Sequence, residues 1–397
     1  MRFALLGSHP DGLEFSCALI ESGSHELVCY STPVPASFQA RFGPHARQIP
    51  DLEEILADPV IEMVVVAGSA ANRPAQLRRA LQSERHVACV YPPDDSPDIA
   101  HEASMLQSDA RKLLFPILPN SQHPAVVEMA TSLRAATAEG AMLRIEIGQQ
   151  KQVVAEPSTQ PLCFPAWVVL RRLGGEIAEV AGLATSQSPT ECEPIAINGR
   201  FESGLLFQIS MTSVAGWRIA LDLNNGHIDL FMPIGPGGPA YLTRTDQGAQ
   251  AHERCWSEWD PWPGLVTAFD DALDHFGKPT SLPVNSSTAD ERNPRTPSWK
   301  DVIRGLELDD ALRRSIKYGR SVTLDYQEGS EEVGFKGTMT LVGCAMLWVL
   351  VAALIVAKWF PVLLWVIAPS LVLFLGLQAF RWIIPQRPGA DEPKEPK

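Results

Sequence analysis

Residues 51–92 read DLEEILADPVIEMVVVAGSAANRPAQLRRALQSERHVACVYP. They open as a short acidic helix, with Asp51 as N-cap and Glu54 at the capping-box position. Ile61 to Gly68 is a continuous apolar run, the pattern of a strand buried on both faces in a parallel sheet. Pro74 to Ser83 has helical character. His86 to Val90 is the next short strand, with Tyr91 and two prolines at its tip. On the N-terminal side, MRFALLG predicts a strand, Leu13 to Glu21 a helix and HELVCYS a second strand. On the C-terminal side a helix is expected over Pro97 to Lys112, then the strand KLLFPIL. Strand and helix alternating at this spacing define an α/β, doubly wound parallel sheet of the Rossmann-like type, an NAD(P)-binding-like domain over residues 1–120.

From residue 121 the pattern changes. His123 to Glu139 reads as a helix, followed by the strand-like runs LRIEIGQQ, EIAEVAGLATS, SGLLFQISMTS, WRIALDLNN and GHIDLFMP. Asn225-Gly226 is a good two-residue hairpin turn. A polar, Trp-rich stretch over 242–262 leads to a helix at Leu265 to Phe276. Ser298, with Asp301 at N3, caps a long helix to about Tyr318, and RSVTLDY closes the region as a strand. Residues 121–326 are therefore expected to form a second α+β domain with a mostly antiparallel open sheet.

The 397-residue chain has a formal net charge of -13. Such an acidic balance disfavours nucleic acid, which needs clustered Lys and Arg. The seven cysteines show no C-x-x-C spacing and lie mostly in apolar runs, as in a reducing compartment. The histidines are scattered without H-E-x-x-H, so no metal site is expected. The apolar run at Phe3 to Leu6 is too short for a secretory signal.

Met339 to Ala357 and Trp359 to Phe380 are two uncharged, largely apolar runs separated by Lys358. Each approaches the roughly 20 residues that a spanning helix needs. The sequence thus predicts a linker at 327–337, two transmembrane helices within 338–382 and a tail at 383–397. Arg320, Lys336, Arg381, Arg387, Lys394 and Lys397 flank the pair, against Lys358 alone in its turn. Positive charge stays inside. Body and tail are expected on the cytoplasmic face of the inner membrane, with the lipid bilayer as a partner.

The order of the pieces resembles the Gfo/Idh/MocA family, the glucose–fructose oxidoreductase and inositol dehydrogenase relatives. Residues 51–92 carry the likeness most specifically. That family reads an acidic helix, a D-P turn, an apolar strand, a helix, then a G-K-H-V strand ending in E-K-P. SWKDVIRGLELDDALRRSIKYGRSVTL (298–324) looks like its closing helix and strand, and SQHPAV (121–126) like the crossover into its second domain. The likeness covers residues 1 to about 326. It implies hydride transfer between a sugar-like carbinol and NAD or NADP, with the protein supplying position and proton handling. A homo-oligomer is implied by the resemblance as well.

Each working motif is altered. The phosphate turn G-x-G-x-x-G stands as Gly7-Ser8-His9-Pro10-Asp11-Gly12. Gly7 and Gly12 survive, His9 holds the middle position, and Asp11 sets a carboxylate where pyrophosphate would rest. His9 could instead donate a hydrogen bond to phosphate. The ribose acid expected after the second strand is replaced by Tyr30 and Ser31, which suits a 2′-phosphate only with an arginine near, Arg41 being the candidate. The T-P-N loop stands as Gly68-Ser69-Ala70, with Arg73 at the family's histidine position. The lysine of E-K-P is Tyr91, which could move a proton only if its pKa were lowered. In CFPAWVVLRRLGGE the histidine and aspartate of H-x-x-D fall on Phe164 and Trp167.

Five altered motifs on an intact scaffold point to an oxidoreductase-like protein serving as a membrane-anchored binding or scaffolding module. The alternative is an active NAD(P)-dependent oxidoreductase with Tyr91 in place of lysine. Trp256, Trp259 and Trp262, beside Glu258 and Asp260, have two readings: a stacking site for a sugar-like ligand, or a loop packed over the second domain.

Overall fold

The structure is a computed structural model. It describes residues 1–135, 142–148, 164–186, 195–212, 216–223, 226–233, 238–246, 250–276 and 296–324. The expected linker, hairpin and tail, 327–397, lie outside the described residues. Among the described residues no helix is long and apolar enough to cross a membrane.

The first half contains strands β1 (Arg2–Gly7), β2 (Glu26–Tyr30), β3 (Arg47–Gln48), β4 (Met63–Ala67), β5 (His86–Val90) and β6 (Leu114–Ile117). Its helices are α1 (Pro10–Glu21), α2 (Ala36–Phe42), α3 (Leu52–Ala57), α4 (Arg73–Gln82) and α5 (Pro97–Ala110). The strands form one sheet in the order β3-β2-β1-β4-β5-β6, every pair parallel. Alternate residues of β1 enter opposite cores: Phe3 and Leu5 one face, Ala4 and Leu6 the other. Burial on both faces explains why MVVVA carries no polar residue. Asp51 caps α3 by accepting from the Glu53 N–H at 2.9 Å.

The second half contains α6 (Pro124–Ala135), β7 (Met142–Gly148), α7 (Phe164–Gly174), β8 (Ile177–Ala184), β9 (Ile195–Phe201), β10 (Leu206–Thr212) and β11 (Trp217–Leu223). It continues through β12 (Gly226–Met232), β13 (Ala240–Asp246), β14 (His252–Trp256), α8 (Trp262–Phe276), α9 (Trp299–Tyr318) and β15 (Val322–Thr323). Nine strands order as β14-β13-β12-β11-β7-β10-β9-β8-β15, antiparallel except for β7 with β10. Residues alternate between a face covered by α6, α7 and α9 and a polar outer face, as on β9 (Ile197 buried, Asn198 exposed).

Three details depart from the sequence reading. Leu223 pairs with Gly226, so Gly226 belongs to β12 and not to the turn expected at Asn225-Gly226. The Trp-rich stretch is partly β13 and β14; β14 is exposed along most of its length and so lacks the alternation that marks a strand. β9 also went unread, because IAINGRF is broken by Asn-Gly. A Cβ on Gly199 would meet the Phe207 ring at 2.2 Å, so the glycine makes room for an aromatic of the neighbouring strand.

Late segments complete the first sheet. Leu265, Val266 and Phe269 of α8 lie in the core shared by α1 and β6, where Phe269 meets Phe115 at 5.4 Å and Phe15 at 6.2 Å. Trp299, Val302 and Leu306 of α9 enter the opposite core, with the Trp299 indole donating to Ala100 O at 2.9 Å. The second half of α9 (Leu308, Ala311, Leu312, Ile316) enters the core of the second sheet.

Candidate functional site

In an open α/β sheet, ligands bind beyond the carboxyl ends of the strands where the order reverses. Here that point lies between β1 and β4. The β1–α1 turn passes over it. Gly7 has φ +101°, and a Cβ there would lie 2.2 Å from Ala67 O; a Cβ on Gly12 would lie 2.3 Å from the Ala67 Cβ. Packing of the turn against β4 therefore demands both glycines, with no ligand invoked.

Three of the turn's amides, those of Gly7, His9 and Asp11, are engaged within the chain. His9 caps α1: its Nδ1 accepts from the Asp11 N–H at 3.3 Å. His9 N–H donates to Ala67 O at 2.9 Å. The Ser31 hydroxyl accepts from the Gly7 N–H at 3.0 Å, and Ser31 N–H donates to Leu5 O at 2.9 Å. Two amides that a phosphate would need are thus satisfied by side chains. Desolvation by burial lowers the His9 pKa to about 4, with Arg73 adding to the effect. A neutral imidazole keeps the Nδ1 lone pair that the cap requires. Burial raises Asp11 to about 6, Arg73 opposing.

Arg73 begins α4 and is 4% exposed. Its Nε and Nη2 donate to Gly68 O at 3.1 and 2.9 Å, and its Nη1 donates to Pro92 O. One guanidinium therefore ties the tip of β4 to the tip of β5. Burial lowers its pKa, with Cys89, Asp11 and Asp95 opposing. Ser69 is exposed, and its carbonyl accepts from the Asn72 and Arg73 amides. Tyr30 is 5% exposed, packed on Phe42, with its oxygen accepting from Gln39 Nε2 at 3.5 Å. Arg41 is committed to Glu14 and Glu21 of α1 at 2.9 and 2.8 Å, and so is not set aside for a 2′-phosphate.

Tyr91 is 6% exposed, and burial first, then Asp309, raises its pKa well above the usual value. A nearby carboxylate, where a cation would be required, makes it a poor proton donor at neutral pH. Trp167 is fully buried, and its indole N–H donates to Asp309 Oδ1 at 2.5 Å. Asp309, 2% exposed, thus gathers the residues at the expected lysine and aspartate positions around one carboxylate. The Phe164 side chain lies outside the described residues. Asp309 escaped the sequence reading, although a signal existed: it interrupts the apolar stripe Val302, Leu306, Leu312, Ile316 at helical spacing.

The tryptophans part company. Trp262 is buried in the core with α8. Trp256 and Trp259 pack edge-on against His123, at 5.9 and 4.6 Å. His123 is buried, its Nδ1 accepts from the Ala125 N–H, and burial lowers its pKa to about 4. Cys17, Cys29 and Cys89 are buried free thiols, whereas Cys255 is exposed. Among the described residues no His/Cys/Asp/Glu group is placed to hold a metal.

The two halves together define a class: a parallel dinucleotide-type sheet followed by a large, mostly antiparallel one. Solved structures share it. The chain superposes on an oxidoreductase from Agrobacterium radiobacter in complex with NAD+, L-tartaric acid and magnesium, with TM-score 0.63, 15% identity, and 81% of this chain and 98% of that one covered. An NAD-binding oxidoreductase from Klebsiella pneumoniae gives 0.59 at 14% identity, covering 82% and 99%. The transcriptional regulator Gal80p from Kluyveromyces lactis gives 0.63 at 14%, covering 81% and 93%. At these identities the likeness is one of fold. No protein-family model matches the sequence, and no curated protein sequence matches it.

Proposed function

We propose that the chain is a membrane-anchored protein in which an oxidoreductase fold serves as a non-catalytic binding or scaffolding module, with body and tail in the cytoplasm. The self-capped phosphate turn carries this reading: His9 Nδ1 takes the Asp11 amide, and Ser31 Oγ takes the Gly7 amide. A pyrophosphate would have to displace both and approach the Asp11 carboxylate. The residues present do not fit a dinucleotide. The lysine, histidine and aspartate positions offer no group suited to proton transfer, since Tyr91 is sealed beside Asp309 and Trp167 bonds that same carboxylate. Gal80p, a transcriptional regulator by name, supports the idea that this fold serves roles other than redox chemistry.

A second reading has one observation in its favour: the Agrobacterium neighbour holds NAD+ on the same fold. On that reading the chain is an NAD(P)-dependent oxidoreductase of a sugar-like carbinol using Tyr91. A thermal-shift titration of the full-length chain with NAD(H) and NADP(H) separates the two. A ligand at 100 times its Kd adds about 2.7 kcal/mol of stability, a shift of several degrees. The scaffold reading expects no shift, and it expects binding to strengthen when His9→Gly and Asp11→Ser open the turn. Micromolar binding by the unaltered protein overturns it.

A further inference from the structure

Residues 311–320, ALRRSIKYGR, form the last turns of α9 and its cap. They carry four cations and no carboxylate, in a chain whose formal net charge is -13. At about 3.6 residues per turn, Arg313, Arg314, Lys317 and Tyr318 fall on one side of the helix. All four are exposed, as is Arg320 just past the Gly319 cap. Leu312, Ser315 and Ile316 fall on the other side and are buried. The Ser315 hydroxyl accepts from the Gly182 N–H at 2.9 Å and donates to Arg320 O at 2.7 Å. Helix end and cap are thereby pinned to β8, and the basic side faces outward in a fixed direction.

The cations are not equally occupied. Arg314 pairs with Asp310 at 3.0 Å, an exposed pair of little worth, and Arg313 lies within electrostatic reach of Asp95. Lys317 and Arg320 have no carboxylate partner among the described residues. Both sit instead over the Tyr318 ring, at 5.4 and 5.7 Å from its centre. The helix dipole accounts for cations in a last turn. It does not account for a tyrosine that is 59% exposed between them. An amphipathic ring among long cationic side chains is the combination that suits a bilayer interface. The chain then leaves the second sheet at Leu324, and fourteen residues (325–338) precede the apolar run that opens at Met339. Such a tether reaches no farther than about 50 Å.

We propose that the end of α9 is a second, peripheral membrane contact, in which Lys317, Arg320 and Tyr318 bind the headgroups of anionic lipids. The inference rests on the membrane-anchored reading, since the tether is what keeps this surface near a bilayer. Juxtamembrane clusters of Lys and Arg bind anionic lipid in this way, each cation strengthening association roughly fivefold.

The test is hydroxyl-radical footprinting of the full-length chain in nanodiscs of phosphatidylcholine alone and of phosphatidylcholine mixed with phosphatidylglycerol. Oxidation of Tyr318 is expected to fall several-fold in the anionic discs, while Tyr241, 38% exposed on β13, serves as the unchanged internal reference. Lys317→Gln combined with Arg320→Gln should return Tyr318 to its neutral-disc level. So should about 1 M salt on the unaltered protein, where the Debye length is about 3 Å, which keeps the test free of any folding defect in the variant. Equal oxidation in the two lipids overturns the proposal; protection of that kind would fit capture of the cluster by the acidic tether (Asp325, Glu328, Glu331, Glu332) instead. Protection that survives both the double variant and high salt overturns it as well. Failure of the chain to enter neutral discs refutes the bilayer anchor and not the cluster. Flotation with neutral and anionic vesicles then decides the cluster alone: preferential flotation with the anionic vesicles supports it, and equal yields overturn it.

Discussion

Replacing Arg73 with methionine isolates the tie between β4 and β5. Methionine follows much of the arginine stem, so packing changes little and three donated hydrogen bonds disappear. Gly68 O is buried; left without a donor, such a group costs about 1–3 kcal/mol. Pro92 O is less enclosed and adds the lower end of that range. Against this, the variant no longer carries a guanidinium that is 4% exposed, and relief of that desolvation returns part of the loss. The balance is a destabilisation of about 2–3 kcal/mol, or a fall of several degrees in Tm. Arg73→Lys should lose nearly as much, because an ammonium cannot present the planar fork that serves two carbonyls. Calorimetry of both variants beside the unaltered protein is the assay. A methionine variant with unchanged Tm would show that the guanidinium gains no more than it loses to desolvation, and the tie between the tips of β4 and β5 would then add nothing net to stability.

Acidification should act through His9 and His123, both lowered to about 4. Each is neutral in the folded state and protonates near 6.5 when unfolded, so their stability is present above 6.5 and drains as pH falls towards 4. Asp11 works oppositely: its folded pKa of about 6 favours the fold at low pH and is lost as pH rises from 3.8 through 6. Tm from pH 7 to 4 should fall less steeply in His123→Phe; an unchanged slope contradicts the assignment. Trp167→Phe strips Asp309 of its indole donor and should cost about 1–3 kcal/mol in urea denaturation. The double variant with Asp309→Asn should cost clearly less than the sum of the singles; strict additivity would show the two residues uncoupled. A reporter fused after Lys397 should be active in the cytoplasm, and activity only outside it refutes the hairpin orientation. Neither the natural protein nor Tyr91→Lys should change nicotinamide absorbance with sugars, inositols or sugar acids. Activity that disappears in Tyr91→Phe would make the tyrosine catalytic.

The parallel sheet was legible because its strands are apolar on both faces and bounded by short helices; β1, β2, β4, β5 and β6 all lie where the runs predicted. The Ser298–Asp301 capping box was equally plain. Less legible were elements without periodicity: the two-residue β3 and the solvent-exposed β14 carry no apolar pattern to read. At the site, the substitutions were visible in sequence but their consequences were not. Nothing in Gly7-Ser8-His9 announces that Ser31, 24 residues on, will take the Gly7 amide. Nor does spacing reveal that Tyr91 and Trp167 converge on Asp309, because all three come from separate elements that only tertiary packing unites.

The placement of α8 and α9 bears on how the chain is made. The first sheet is complete in strands once residue 117 has left the ribosome, yet the helices that cover Phe115 and Ala100 come from residues 262–276 and 299–318. At about 5–20 residues per second, the nascent sheet waits roughly 10–40 s with apolar surface uncovered. The apolar pair at 339–380 emerges directly after the last of those helices. A chaperone or targeting factor that captures exposed apolar chain would therefore meet two successive claims on it: first an unfinished core, and almost immediately afterwards the segment proposed to enter the bilayer.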